Sequence, residues 1–177
     1  MNSPSSNETP YDKNITAKLL NDLHPNHVLL KVIGEIETLK DHGRSCVIVA
    51  HGFLELLVNI LVRNKCKNAV RIISSTRDFP HSTKLILLHE LGCLSDSDIR
   101  MLNWFRKLRN RAAHDPHFRI TENDLRSFGS GPFGNPAQFH VLCLSVFGTL
   151  WNRHYELFSA EFFPSAYGNR TEPRHDV

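Results

Sequence analysis

Arg44-Ser-Cys-Val-Ile-Val-Ala-His-Gly-Phe-Leu-Glu-Leu-Leu-Val-Asn-Ile-Leu-Val-Arg-Asn64 is the stretch on which the fold turns. Ten of its apolar side chains fall at positions 46, 47, 49, 50, 53, 54, 56, 57, 60 and 61. At about 100° per residue they cover most of a helix circumference, which predicts a helix surrounded by others rather than one lying on a surface. A strand would alternate with period two, and no part of the chain does so for long. Upstream, Pro25 offers a first-turn position. Val28, Leu29, Val32, Ile33, Ile36 and Leu39 then keep 3.6-residue spacing until Asp41-His-Gly43, predicting an amphipathic helix. Downstream, Lys65 to Pro80 reads as a long, partly helical connection, because a proline pushes the residue before it out of helical geometry. Ser82 or Thr83 caps a short helix through Leu91, with Gly92 in the left-handed position at its end. Ser95-Asp-Ser-Asp98 opens the next helix as a capping box. Its apolar positions Ile99, Leu102, Phe105, Leu108 and Ala112 recur every three or four residues until Asp115-Pro116 ends it. Thr121-Glu-Asn-Asp124 reads as a short capped turn, Ser127 to Pro136 as a glycine-rich mobile flap, and Ala137 to Phe163 as one last long helix.

The expected class is therefore all-α, an antiparallel bundle of five or six helices forming a single domain over residues 16–163, between disordered tails at 1–15 and 164–177. A hydrophobic share of 41% with 22% charged residues excludes collagen-like, low-complexity and wholly disordered chains. No uninterrupted apolar run approaches the ~18 residues of a membrane span. Met1 to Pro10 lacks the basic start and apolar centre of a signal peptide, so a cytoplasmic address without a membrane partner is expected. Cys46, Cys66, Cys93 and Cys143 form no C-x-x-C pair, and three of them sit in apolar stretches, as reduced buried thiols do. His24-Pro-Asn-His27 and His114-Asp-Pro-His117 have ligand-like spacing. A proline interrupts each, however, and no further ligand is placed to complete a site, so neither metal nor cofactor is expected. Glu55, inside the most apolar helix, either faces a groove or pairs with a base; pairing with Arg109 or Arg111 is the expectation.

Charge is concentrated in one place. From Ile99 to His114 there are five basic residues, Arg100, Arg106, Lys107, Arg109 and Arg111, and no acidic one. At the end of this helix stands Arg109-Asn-Arg-Ala-Ala-His114. Asn110 and His114, four apart, share a face, with Arg109 on the adjacent stripe. The set suits phosphate. Arginine presents a planar fork to two oxygens, and histidine exchanges a proton near neutrality. RNA carries its own nucleophile in the 2′-hydroxyl, so arginine and histidine suffice in principle to cleave it without a metal. A plainer account stays open: the same side chains near a helix C-terminus also satisfy exposed carbonyls and the negative end of the dipole. A helix-turn-helix drawn through Lys84 to Lys107 would present Asp96 and Asp98 to DNA, where repulsion opposes docking.

Three blocks carry a resemblance: Asp41-His-Gly-Arg-Ser-Cys-Val-Ile-Val-Ala-His-Gly-Phe-Leu-Glu-Leu-Leu57, Leu88-His-Glu-Leu-Gly-Cys-Leu-Ser95 and Phe105-Arg-Lys-Leu-Arg-Asn-Arg-Ala-Ala-His114. The last resembles the signature of the HEPN superfamily, an Arg followed after four to six residues by His, often with Asn after the Arg. In order and spacing, the three together resemble the mannitol operon repressor branch over roughly residues 41 to 125. The resemblance implies a HEPN-like helical domain and a homodimer in which the motifs of both subunits face one RNA strand. It also implies a metal-independent endoribonuclease site at Arg109 and His114 with Asn110 supporting, and the neighbouring basic residues Arg106, Lys107 and Arg111 are expected to bind the RNA. The branch equally implies a transcriptional regulator that acts through protein partners without an ordinary DNA-binding domain. A helical dimer with a fossil site is the third alternative. Trp104 and Met101, large side chains off the apolar stripe of the motif helix, are expected near the dimer interface.

Overall fold

A computed structural model describes residues 28–128 and 134–163. Among them are eight α-helices: α1 (Val28–Thr38), α2 (Gly43–Lys65), α3 (Ala69–Ser74), α4 (His81–Glu90), α5 (Asp96–His114), α6 (Glu122–Phe128), α7 (Phe139–Arg153) and α8 (Tyr155–Phe162). A 3₁₀ turn at Pro136–Gln138 leads into α7, and no strand occurs among the described residues. The described residues are all-helical, as the periodicity predicts. The expected tails, Pro25, His24, His27 and positions 129–133 of the glycine-rich loop lie outside the described residues.

The centre of the fold is α2, against which α1, α3, α4, α5, α7 and α8 all pack. Cys46, Val47, Ala50, Phe53, Leu54, Leu57, Val58, Ile60, Leu61 and Val62 are buried along it. Each fully buried leucine there contributes about 1.5–3 kcal/mol of transfer free energy, so a charge at Leu57 would be among the most damaging single changes. By length and composition α2 is apolar enough to cross a membrane, a property hidden from an inspection of uninterrupted runs because His51, Gly52, Glu55 and Asn59 are scattered through it. Most of its surface is buried by the other helices. Around α2 the aromatic contacts continue: Phe53 meets Phe147 edge-on with centroids 4.9 Å apart, and Phe105 packs on Phe139 and Trp104.

Three local outcomes differ from the reading of the sequence. Ala137 to Phe163 is not one helix. It breaks at His154, whose backbone N–H is shared between the carbonyls of Leu150 (3.3 Å) and Trp151 (3.1 Å). The break turns α8 so that Phe158 and Phe162 lie against Trp151, at 5.5 and 5.4 Å between centroids, and Phe158 is fully buried. Thr121 caps a seven-residue helix rather than an isolated turn: its Oγ1 accepts from Asp124 N–H, and its own N–H donates to the Asp124 carboxylate at 2.9 Å. Helix α4 begins two or three residues earlier than a Ser82 or Thr83 cap implies, with Pro80 in the capping position. Gly92 follows α4 with φ of 69°, a left-handed geometry that glycine adopts without a Cβ penalty, and Cys93 N–H closes back onto the Leu88 carbonyl at 2.8 Å. This turn aims α5 back along α2.

Candidate functional site

Both ends of α5 are held. At the start, the Ser95 hydroxyl accepts from Asp98 N–H while Asp98 Oδ2 accepts from Ser95 N–H at 2.8 Å, the expected capping box. Asp98 is also ion-paired with Arg153 at the end of α7, and Arg153 Nη1 donates to Ser95 Oγ at 2.7 Å. Asp98 is only 2% exposed, so this pairing is what makes a carboxylate tolerable there. Asp96 accepts from His89 Nε2 at 2.9 Å. The acidic start of α5 is therefore engaged by the chain's own bases and Lys84 is buried, an arrangement unlike a DNA-reading helix-turn-helix.

The far end is capped by a residue the sequence reading did not single out. Arg44, in the first turn of α2, donates from Nη1 to the Ala112 carbonyl at 2.8 Å and from Nη2 to the carbonyls of Asp115 (2.5 Å) and Pro116 (2.9 Å). Its guanidinium also lies over the Phe118 ring, 5.9 Å from the centroid. The Ala112 carbonyl in the last turn of α5 and the two carbonyls just past its end thus receive a cation from the central helix. An arginine at a helix start has no local reason to be there, which was the available signal.

Within the motif, Arg109 Nη1 donates to Asn110 Oδ1 at 3.3 Å, and both residues are exposed. His114 is exposed as well, and its imidazole makes no hydrogen bond to another described residue. Helical geometry puts Asn110 and His114 about 40° apart and Arg109 and His114 about 140° apart. The structure therefore joins Arg109 to Asn110 and aligns Asn110 with His114, with no hydrogen bond between Arg109 and His114. Asn103, Lys107, Asn110 and His114 form one stripe along the outer face of α5. Arg106 folds back along it, donating from Nε to Asn103 Oδ1 at 3.2 Å.

Arg111 faces elsewhere. It is ion-paired with Asp124 of α6 and lies 5.5 Å from the Phe118 ring centroid. Burial acts to raise the Asp124 pKa, but hydrogen bonds from the Thr121 backbone and hydroxyl and from Arg111 outweigh it and hold the carboxyl below its usual range. Arg100, Arg106, Lys107 and Arg109, by contrast, have no carboxylate partner among the described residues. Trp104 is taken up inside the chain: its indole N–H donates to the Asp124 carbonyl (3.1 Å) and Ser127 Oγ (3.0 Å), and its ring packs on Phe105 and Phe128. It and Met101 are partly buried, so their size off the stripe has an internal use.

Beneath the Arg106–Arg109 flank lies a pair of histidines, His51 of α2 and His81 of α4, with ring centroids 5.1 Å apart. His51 Nε2 and both ring nitrogens of His81 are buried without a partner among the described residues. Burial lowers the His51 pKa, the nearby Glu55 charge opposes that shift, and Arg109 and Arg106 reinforce it. Burial pushes His81 down to about 3, helped by His51, Lys84 and Arg106. Both are neutral at pH 7. Glu55 thus acts electrostatically on His51 and, contrary to expectation, forms no ion pair with Arg109 or Arg111 among the described residues. Lys84, 1% exposed, donates to Asn59 Oδ1 at 2.9 Å.

All four cysteines are free, with Cys46, Cys93 and Cys143 buried. Among the described residues no three His, Cys, Asp or Glu side chains gather as a metal-ligand set. No protein-family model, no curated protein and no solved structure matches the chain.

Proposed function

We propose that the protein binds single-stranded RNA along the outer face of α5 and cleaves it at Arg109, Asn110 and His114, as a HEPN-type, metal-independent endoribonuclease working as a homodimer. The observation that carries this reading is the charge state of α5. Four of its cations, spread from Arg100 to Arg109 along the helix that ends in the exposed Asn110–His114 pair, lack a carboxylate partner among the described residues. A purely structural set at a helix C-terminus would be engaged with the carbonyls it serves. Here Arg44 does that work.

In the reaction, the 2′-oxygen attacks the adjacent phosphorus. The new O2′–P bond forms as the P–O5′ bond breaks, giving a 2′,3′-cyclic phosphate and a 5′-hydroxyl. His114 takes the 2′-hydroxyl proton, and the His114 of a second copy gives a proton to the leaving 5′-oxygen. Arg109 stabilises the charge that grows on the non-bridging oxygens. Asn110, its carbonyl oxygen held by Arg109, keeps its amino group for the imidazole or the phosphate. Lys107, Arg106 and Arg100 attract the strand, while Arg111 contributes less than its charge suggests because Asp124 offsets it.

The test is incubation of the full chain with mixed single-stranded RNA in excess chelator, reading out cyclic-phosphate ends. Arg109→Ala and His114→Ala are expected to lose about 10²- to 10⁴-fold in rate while staying folded. Wild-type cleavage that survives both substitutions overturns the assignment. A second reading, a regulator acting through a protein partner, draws on Val70, Ile86 and Leu91, large apolar side chains left exposed on and next to α3 and α4. Absence of both RNA binding and cleavage would favour it.

A further inference from the structure

The outer face of α5 also carries a shallow groove of about 580 Å³, some way back from His114. Trp104 and Ile99 supply its apolar surface, Arg100, Arg106 and Lys107 its cations, and Asn103 an amide. Two features set it apart from a chance depression. The indole at its base is immobilised, with its N–H bonded to Asp124 and Ser127 and aromatic rings packed on it, so a planar ligand meets a platform that is already ordered. The three cations have no carboxylate partner among the described residues, and no acidic side chain lines the groove. Apolar ring, unpaired cations and amide together are the chemistry that reads a stacked base and its flanking phosphates.

We infer that this groove is a base-binding subsite: one nucleobase of single-stranded RNA stacks on Trp104, and Arg100 and Lys107 hold the flanking phosphates. The inference rests on the proposed binding of RNA along α5. Trp104 and His114 are ten residues apart, about 15 Å along the helix axis, so the bound base lies a few nucleotides from the cleaved bond. A duplex cannot use the site, because its bases are already stacked on one another. The groove thereby names the substrate class as unpaired RNA. Arg106, turned toward Asn103, closes the edge of the groove and orients that amide toward the edge of the base.

The experiment follows Trp104 itself. The chain has two tryptophans, so the full-length Trp151→Phe variant leaves Trp104 as the only indole. An unpaired RNA oligonucleotide, an abasic strand of equal length and a duplex are titrated against it, with binding measured in parallel by anisotropy of labelled RNA. Unpaired RNA is expected to quench the indole; the abasic strand and the duplex are expected to bind without quenching. Arg100→Gln combined with Lys107→Gln should lower the slope of log affinity against log salt by about 1.4, or ~0.7 for each phosphate contact removed. Trp104→Leu should weaken binding about five- to hundredfold, and Trp104→Phe, which keeps a ring, by less. RNA that binds and is cleaved while the indole stays silent overturns the subsite and spares the proposed function. Quenching without cleavage supports the subsite and counts against catalysis. No binding of any RNA overturns both.

Discussion

Protonating the His51–His81 pair should destabilise the fold, and removing His81 should take away its share of that effect. His81 is held near neutrality by burial, with its pKa brought from 6.5 to about 3. The groups around it oppose a proton: His51 from α2, Lys84 from α4 and Arg106 from α5 all push the His81 pKa down, while at His51 the Glu55 carboxylate of α2 works against the lowering that burial, Arg109 and Arg106 of α5 impose. Because the folded-state pKa is depressed, the unfolded chain binds the proton more tightly. Stability is therefore complete above about pH 6.5 and falls as the pH drops from there toward about 3. At 1.36 kcal/mol per pH unit, moving from about pH 7.5 to about pH 5 costs close to 2 kcal/mol from His81. His51, shifted in the same direction, adds to the loss rather than offsetting it. The measurement is urea unfolding of wild type and His81→Leu at both pH values. Wild type should lose about 2 kcal/mol more than the variant, which cancels the contributions of the other histidines. Equal losses in the two proteins would refute the reasoning.

Replacing Arg44 by Ala removes three hydrogen bonds to the end of α5 and should cost about 2–4 kcal/mol, read as a lower urea midpoint with unchanged slope. If the cap positions the motif, RNA cleavage should fall as well under conditions where the variant remains folded. Arg153→Ala leaves the Asp98 carboxylate buried without its cation and should destabilise by about 3 kcal/mol, part of which Asp98→Asn restores in the double variant; simple additivity of the two would contradict a coupled pair. Gly92→Ala should cost about 1 kcal/mol in thermal unfolding through its positive φ alone, since no atom lies close enough to clash with an added Cβ.

The sequence made the centre of the fold legible because burial on nearly all sides of a helix leaves a pattern no other element shares. Phe53, Leu54, Leu57, Ile60 and Leu61 are all buried as that pattern requires. The capping box at Ser95 was equally readable, being a contact between residues three apart. What periodicity could not show were polar groups occupying apolar positions. Lys84 and His51 fall on the inner faces of α4 and α2, where spacing alone treats them as interruptions. Nor could it show contacts between distant positions. Arg153 reaches Asp98 across 55 residues of chain and Arg44 reaches Ala112 across 68. The break at His154 escaped because apolar positions continue through it, and only the docking of Phe158 against Trp151 reveals why the helix turns. At the motif, spacing gave the alignment of Asn110 with His114, while the offsetting of Arg111 by Asp124 depends on where α6 folds.

The Arg44 clamp also bears on how long the last turn of α5 survives between encounters with a ligand. A helix end normally opens and recloses many times before the rest of a protein yields, and its amide protons exchange with water accordingly. Here the carbonyls of Ala112, Asp115 and Pro116 share one guanidinium rooted in the most deeply buried helix. The amides of the final turn should therefore exchange at the pace of a larger unit in which α2 and α5 part together, and Arg44→Ala should return them to the fast regime of an ordinary terminus.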